Sequence, residues 1–403
     1  MLPILAQYQE SGRGHIAILS SEEFAGRGYV KNGMYKSADY IRKELEKYGV
    51  TDAAKNYFQL TPSFPVNTFP DAVTLTGITL SAEGREVTNS YVAGADFLIT
   101  PTSGDINIYK QQIVNIKEHT IFSQLKSNTA YYLDKTTIED EFLKKIQEYY
   151  IESKTLKNSL LIIYDSSKLT WYPARTKSNN AIVTINIPMK AEQIIAQWKS
   201  KLKNKFQGIN IIGKVEGKRS DSSIFFSAHY DHLGTLGQHI FPGANDNASG
   251  VAMLLDLAKY YAKNQPIFDT YFLFTCAEEL GLLGSYYYIQ DPVSSLKHIK
   301  LLINLDMVGT GDEGITIVNA EKQKKFFDQM EDENNHYLAA IKARGEACNS
   351  DHCLFDRAGV PAVFIYTLGG KQAYHDINDN GEGLSLYAYN GLIELLKIVV
   401  TNL

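Results

Sequence analysis

The sequence of 403 residues has few cysteines, no long hydrophobic run and no excess of positive charge. Its three cysteines, Cys276, Cys348 and Cys353, are too few for a disulfide scaffold, although Cys348 and Cys353 lie close enough in sequence to pair. No apolar run approaches the roughly 20 residues that span a bilayer, which predicts no membrane span. The net charge of -5 predicts no nucleic-acid partner, because such a function needs a basic surface.

The segment from about 59 to 205 has little of the residue types that carry chemistry, with one histidine, His119, and no cysteine. Short strand-like runs such as AVTLTGITL, LLIIYD and AIVTINI dominate it, whereas TIEDEFLKKIQEYY and AEQIIAQWKSKL are predicted helices. We interpret this segment as a β-rich domain inserted into a larger one. The predicted organisation is therefore 1–58 as the N-terminal part of a catalytic domain, 59–205 as the insert and 206–403 as the metal domain.

From about residue 206 onward, predicted strands alternate with predicted helices. The strands include SIFFSA, YFLFT, KLLINLD and PAVFIYT, and the helices include VAMLLDLAKYYAKN, a stretch around 322–344 and LSLYAYNGLIELLKIVV. Short, continuously apolar strands separated by helices are typical of a sheet that is covered on both faces. The sequence therefore predicts an α/β fold for this part of the chain.

Acidic and histidine residues directly follow several of these strands. His229-Tyr230-Asp231-His232 follows SIFFSA, Cys276-Ala277-Glu278-Glu279 follows YFLFT, Asp306 ends KLLINLD, and Tyr374-His375-Asp376 comes after PAVFIYT. Each group alone also fits a simpler interpretation, such as a polar loop or a helix start where acids suit the dipole. Asp246, in the run GANDNASG, likewise fits an ordinary turn before a helix. Ligand sites of open α/β sheets, however, form at the carboxyl ends of the strands.

Taken together, the set supplies nitrogen and oxygen ligands from His229, Asp246, Glu279, Asp306 and His375, and leaves Glu278 spare. Such ligands without thiolates suit zinc, although manganese or cobalt could occupy the same site. Five protein ligands exceed the needs of one open catalytic zinc and fit two ions about 3.5–4 Å apart that share a carboxylate. The absence of an HExxH helix excludes the common single-zinc protease design.

The motifs SAHYDH, GANDNASG, AEELGLLGS, NLDMVG, SDH and YHDINDN occur in this order between about residues 206 and 380. In order and spacing they resemble the co-catalytic dinuclear zinc aminopeptidases, relatives of the bacterial secreted leucine aminopeptidases. The likeness extends to the N-terminal run Glu23-Phe24-Ala25-Gly26-Arg27. It implies a central mixed, largely parallel sheet with helices on both faces, two zinc ions and a secreted or periplasmic location. The insert resembles, more loosely, a protease-associated domain.

The resemblance also implies a role for each residue of the site. Asp246 would bridge the two ions, His229 and Asp306 would complete opposite metal shells, and Glu279 and His375 would fill the remaining positions. Glu278 would be the general base, Asp231 would support His229, and Tyr374 would polarise the scissile carbonyl. The stretch Ser350-Asp351-His352 would lie near the site without a direct metal role.

The predicted function is hydrolysis of the first peptide bond of substrates with a free N-terminus, by a metal-bridged water with Glu278 as its base. The alternatives are glutaminyl cyclase-type acyl transfer, a carboxypeptidase of the same fold, and a non-catalytic, receptor-like relative. Five intact ligand positions disfavour a single-zinc cyclase, and the presence of Glu278 disfavours a receptor. Side-chain preference would depend on loops around 312–350 and 367–373, and neither this preference nor the oligomeric state follows from the sequence.

Overall fold

The computed structural model describes residues 2–370 and 373–403, so part of the predicted loop 367–373 lies outside the described residues. Its helices are α1 (Leu2–Leu19), α2 (Gly33–Tyr48), α3 (Asp140–Glu152), α4 (Gly250–Tyr261), α5 (Leu283–Gln290), α6 (Lys324–Asp332), α7 (His352–Arg357) and α8 (Tyr389–Thr401). Among the described residues, none of these helices combines the length and apolar character needed to cross a membrane.

The strands, in chain order, are β1 (Thr51–Asp52), β2 (Phe58–Leu60), β3 (Phe64–Thr68), β4 (Thr74–Leu80), β5 (Glu86–Tyr91), β6 (Phe97–Ile99), β7 (Ile106–Asn115), β8 (Ala130–Asp134), β9 (Leu160–Tyr164), β10 (Ala181–Ile185), β11 (Gln193–Trp198), β12 (Lys201–Phe206), β13 (Ile209–Val215), β14 (Arg219–His229), β15 (Gly234–Leu236), β16 (His239–Phe241), β17 (Phe268–Thr275), β18 (Ile299–Leu305), β19 (Ile315–Val318), β20 (Ile341–Arg344) and β21 (Ala362–Thr367).

The larger sheet has the strand order β1-β13-β17-β14-β18-β21-β19-β20, and β2 also pairs with β13. Its four central strands, β17, β14, β18 and β21, are mutually parallel. Antiparallel pairs flank them, β13 with β17 on one side and β19 with β21 on the other. The predicted mixed sheet is confirmed, with its parallel part at the centre. The carboxyl ends of the four central strands consequently meet at one edge.

Helices cover both faces of this sheet, because successive side chains of each strand point to opposite sides. Phe226 of β14 is buried in one core together with residues of α2, α4 and α8. The preceding residue, Phe225, is buried in a second core with Tyr288 of α5 and Phe355 of α7. A strand that is buried on both faces needs a continuous apolar run, which explains the pattern of SIFFSA. The predicted fold class is therefore confirmed.

A second sheet has the order β5-β4-β11-β7-β8-β9-β10-β6 and shares no strand with the larger one in the described part of the chain. Helix α3 packs on it through Ile146 and Tyr150. The other face buries Phe97 and Trp171, and Phe241 of β16 joins that core. Strands β3 and β12 pair with each other where the chain enters and leaves this region. The domain boundaries at 59 and 205 stay a prediction.

Two predicted helices are wrong. The run AEQIIAQWKSKL forms β11 and β12, because Ile194, Ala196 and Trp198 are buried at every second position and β11 pairs with both β4 and β7. The stretch 322–344 is only partly helical. Helix α6 ends at Asp332, left-handed backbone follows at Asn335 and His336, and the chain then forms β20.

Candidate active site

The carboxyl edge of the larger sheet brings the five predicted ligands together. His229 ends β14, Asp306 directly follows β18, and Glu279 and His375 lie in the loops after β17 and β21. Asp246 comes from the irregular turn Ala244–Ser249 that leads into α4. Each of the five side chains is at most 10% exposed. Three buried carboxylates in one cluster demand a compensating positive charge.

One half of the cluster is formed by His229, Asp246 and Asp306. His229 Nε2 lies 3.2 Å from Asp246 Oδ1 and 3.4 Å from Asp306 Oδ1. Ligand atoms at zinc-bonding distance from one tetrahedral ion are about 3.3–3.5 Å apart. Asp306 Oδ1 is buried and has no hydrogen-bond partner in the described part of the chain, as expected for an atom that faces a cation. His229 and Asp306 therefore lie together on one side of the cluster, whereas the resemblance implied opposite metal shells for them.

The other half is formed by Asp246, Glu279 and His375. His375 Nε2 lies 3.1 Å from Asp246 Oδ2 and 3.1 Å from Glu279 Oε2. The two oxygens of Asp246 thus face different pairs of ligands. A carboxylate in this position has the geometry needed to bridge two cations.

Both histidines present Nε2 to the cluster because Nδ1 is occupied. His229 Nδ1 donates to the main-chain oxygen of Asp231 at 3.2 Å, and it lies 3.9 Å from the Asp231 carboxylate. His375 Nδ1 donates to the main-chain oxygen of Trp171 at 2.8 Å. The Asp231 carboxylate itself accepts from the Tyr29 hydroxyl at 3.0 Å and from the main-chain N–H of Glu278 at 3.1 Å. Asp231 therefore positions both His229 and Glu278.

Glu278 and Tyr374 line a cavity of about 260 Å³ beside the ligands, together with His229, Asp246, Asp306 and His375. Burial raises the pKa of Glu278 well above its usual value, and the carboxylate of Glu279 adds to this rise while His229 opposes it. A nearby cation would bring this pKa back down. The Tyr374 ring stacks on His375 with 4.0 Å between ring centroids, and burial followed by the charge of Asp246 raises the pKa of its phenol.

The part of the chain that carries this site is similar to a known protein family. Residues 210–396 match the family model "Peptidase family M28", and all five candidate ligands lie inside the match. The matched residues are called the M28 region below.

The chain covers different shares of its curated relatives. A vacuolar membrane protease of Candida glabrata is 27% identical over 181 residues, which are 43% of this chain and 18% of that protein. A probable leucine aminopeptidase of Arthroderma otae is 26% identical over 215 residues, which are 50% of this chain and 57% of that protein. The chain therefore spans about a fifth to just over half of the length of these curated relatives.

The fold also matches solved structures. The zinc aminopeptidase BSAP from Bacillus subtilis superposes with a TM-score of 0.67 at 21% identity, over 98% of this chain and 94% of that one. The match includes the insert as well as the M28 region. At this level of identity it shows a shared fold.

Buried polar residues outside the ligand set hold the turn that carries Asp246. The fully buried Arg27 donates to the main-chain oxygens of Gly243 at 2.6 Å and Asp246 at 3.1 Å. The Asp379 carboxylate accepts from the main-chain N–H groups of Asn245 and Asp246 at 2.9 and 3.0 Å. Arg27 lies in the N-terminal run that the family resemblance included, whereas the role of Asp379 was missed.

His232 was also missed as a positioning residue. Its Nδ1 lies 2.7 Å from Glu279 Oε1, which leaves Glu279 Oε2 to face His375. The only sequence signal was its place at the end of the run His229-Tyr230-Asp231-His232.

Ser350 supports Asp306 from the opposite side. Its hydroxyl donates to Asp306 Oδ2 at 2.7 Å and accepts from Asn304 Nδ2 at 2.8 Å. Cys348 and Cys353 form a disulfide that closes the loop around Ser350, a pairing that the sequence left open. Ser350 thus lies near the site, as expected, and fixes Asp306 through one oxygen while the other faces the cluster.

The insert contributes no side chain to the ligand cluster among the described residues, and His119 is exposed. It nevertheless contacts His375 directly. Besides accepting from His375 Nδ1, Trp171 donates its main-chain N–H to the His375 main-chain oxygen at 3.2 Å. The Tyr172 ring packs edge-on against the His375 ring at 4.6 Å, and Lys168 pairs with Asp376 at 2.9 Å. The orientation of His375 therefore depends on a segment some 200 residues earlier in the chain.

Proposed function

We propose that this chain is a zinc-dependent exopeptidase, specifically an aminopeptidase with two zinc ions. The observation that carries the proposal is Asp246, whose two oxygens face separate histidine–carboxylate pairs at 3.1–3.4 Å spacing. The match of residues 210–396 to the family model "Peptidase family M28" supports peptide hydrolysis. BSAP is a zinc aminopeptidase, and the Arthroderma otae relative is a probable leucine aminopeptidase. Together these similarities support zinc binding and aminopeptidase activity.

The residues divide into binding and proton-transfer roles. His229 and Asp306 would hold one ion, Glu279 and His375 the other, and Asp246 both. Bound zinc would lower the pKa of a water and polarise the scissile carbonyl. Glu278 faces the same cavity and would accept the proton of the attacking water and return it to the leaving amine.

The preference for a free N-terminus rests on the similar proteins rather than on the charge of the cavity. The carboxylates of Asp246 and Asp306 would be neutralised by the two ions, and Glu278 would contact the attacking water. BSAP is described as a zinc aminopeptidase and the Arthroderma otae relative as a probable leucine aminopeptidase, which supports substrates with a free N-terminus.

The test is a matched panel of substrates with metal analysis of the same sample. Amino-acid arylamides with free and with acetylated N-termini report aminopeptidase activity. An N-acetylated dipeptide with a free C-terminus reports carboxypeptidase activity, and ammonia release from glutaminyl peptides reports cyclase activity. We expect two zinc ions per chain and turnover of the free arylamides only. Equal turnover of the blocked and free substrates, or a metal-free chain without turnover, would contradict the proposal.

Tyr374→Phe is expected to lower kcat about 10²-fold with the metal content unchanged, by analogy with the loss of other oxyanion donors. The substitution keeps the ring that stacks on His375 and removes only the hydroxyl, which would donate to the developing oxyanion. Steady-state kinetics and zinc analysis check it, with Tyr387→Phe, at an exposed tyrosine, as the matched control. An unchanged kcat would show that the Tyr374 hydroxyl takes no part in the reaction and that the residue only lines the cavity.

A secreted or periplasmic location is part of the proposal. The disulfide between Cys348 and Cys353 supports it, because disulfides persist mainly in oxidising compartments.

A further inference from the structure

The cavity is also lined by residues outside the candidate ligand set, which the proposed mechanism does not use. They are called the second wall below. This wall consists of Met307, Arg344, Asn349, Phe364 and Tyr366. Arg344 ends β20, while Phe364 and Tyr366 belong to β21. Both Arg344 and Phe364 pair with Val318 of the intervening strand β19, so their side chains share one face of the sheet.

Arg344 is the cation of this wall and has no acidic partner. Its Nη1 donates to the Tyr366 hydroxyl at 3.3 Å, and its side chain is otherwise exposed. No carboxylate within the described ranges lies within ion-pair distance of it. The carboxyl groups that line the cavity, Asp246, Glu278 and Asp306, belong to its ligand side. A guanidinium is therefore presented to the same small space in which a substrate would reach the metal ligands.

We propose that Arg344 selects substrates whose first residue has a side-chain carboxylate, glutamate or aspartate. The inference rests on the proposed aminopeptidase function. When the amine and the scissile carbonyl lie at the carboxylate and histidine side of a cavity of about 260 Å³, the first side chain extends toward the other wall. Met307, Phe364 and the Tyr366 ring flank its methylene groups there.

The chemistry of arginine favours this assignment over a general apolar pocket. A guanidinium forms two parallel hydrogen bonds with a carboxylate, and these are among the stronger contacts that a partly exposed site can make. A leucine side chain would fill the space but leave the guanidinium without a carboxylate, and a lysine side chain would be repelled.

A carboxylate can also come from the C-terminus of a very short peptide, and the substrates distinguish the two sources. Arylamides have no C-terminal carboxylate, so any effect of Arg344 on them arises from the side chain of the first residue. Glutamyl and glutaminyl arylamides differ only in that charge. A comparison of kcat/KM for the leucyl-glycine dipeptide and for its C-terminal amide measures the contribution of the C-terminal carboxylate.

The experiment measures kcat/KM of the zinc-loaded protein for glutamyl, glutaminyl, leucyl and lysyl arylamides in wild type, Arg344→Gln and Arg344→Glu. We expect wild type to prefer the glutamyl over the glutaminyl substrate by about 10- to 100-fold, the range for one charge-assisted contact. Arg344→Gln should reduce this ratio to about 1, mainly through KM and with little change for the leucyl substrate. Arg344→Glu should raise kcat/KM for the lysyl arylamide above that for the glutamyl arylamide. Arg357→Gln, on an exposed arginine of α7, is the matched control.

The outcomes separate this inference from the proposed function. Turnover of the leucyl substrate with a glutamyl-to-glutaminyl ratio near 1 in all variants overturns the inference and leaves the aminopeptidase intact. A loss confined to the leucyl-glycine dipeptide, with its amide unaffected, also overturns it, because Arg344 would then bind the C-terminus. Failure to hydrolyse any free substrate with zinc bound overturns the proposed function itself.

Discussion

Glu278→Gln is expected to lower kcat by about 10²–10⁴-fold, the usual contribution of a general base, while both metal sites stay filled. Glu278 lines the cavity, and only its main-chain N–H is needed to contact Asp231. The amide keeps the size and shape of the side chain but cannot accept a proton from water. Single-turnover kinetics, zinc analysis and circular dichroism of the same preparation would check the result.

The adjacent Glu279→Gln is the matched comparison, because it makes the same chemical change one residue away. Both oxygens of Glu279 are engaged, Oε1 with His232 and Oε2 beside His375. We expect this variant to lose zinc from one site, with activity recovering partly at high zinc concentration. If Glu278→Gln emptied a metal site while Glu279→Gln stayed fully loaded, the two roles would have to be exchanged.

Asp246→Asn is expected to reduce zinc binding at both sites and to lower turnover by about 10³-fold or more, since metal ions supply several kcal/mol of transition-state stabilisation. The reason is the position of Asp246, with one oxygen beside His229 and the other beside His375. The asparagine amide has one oxygen and no charge, so it cannot bind an ion on each side as the aspartate carboxylate would. Zinc stoichiometry at equilibrium and the dissociation rate of each ion are the measurements.

Removal of the metal from the unaltered protein should reproduce this loss. Treatment with a chelator is expected to abolish turnover, and added zinc should restore it. The control for Asp246→Asn is Asp221→Asn, which makes the same chemical change at an exposed aspartate. Asp221 lies near the opposite end of β14, about 26 Å from His229 at the usual rise per residue. A fully active sample without metal would refute the proposed zinc chemistry.

The position of the ligand cluster can be predicted from the sequence, because the end of each strand is marked by residues that are neighbours in the chain. Continuous apolar runs mark β14, β17 and β18, and the polar residue after each run marks the carboxyl edge. Parallel pairing then brings these edges together without any further information. This is why residues as far apart as His229 and His375 could be proposed as partners before their distance was known.

Other features depend on geometry that no local pattern encodes. The order of the residues in the sequence does not show that Asp306 lies beside His229. The helical pattern of AEQIIAQWKSKL competes with an alternating one, and pairing with β4 and β7 decides between them. The Asp379 carboxylate and the His375 imidazole each bond to a main-chain atom more than 130 residues away, in Asn245 and Trp171. A main-chain partner has no signature in the sequence.

The contact between Trp171 and His375 links the two sheets in a way that matters for dissecting the molecule. A shortened chain without residues 59–205 would keep every candidate ligand, yet His375 would lose the main-chain oxygen of Trp171 that fixes its Nδ1. Such a truncation would weaken zinc binding even if its own sheet folded perfectly. A molecule that displaced the Lys168–Tyr172 segment would therefore lower the affinity for zinc from outside the cavity. Conversely, zinc binding would stabilise that segment in its position against His375.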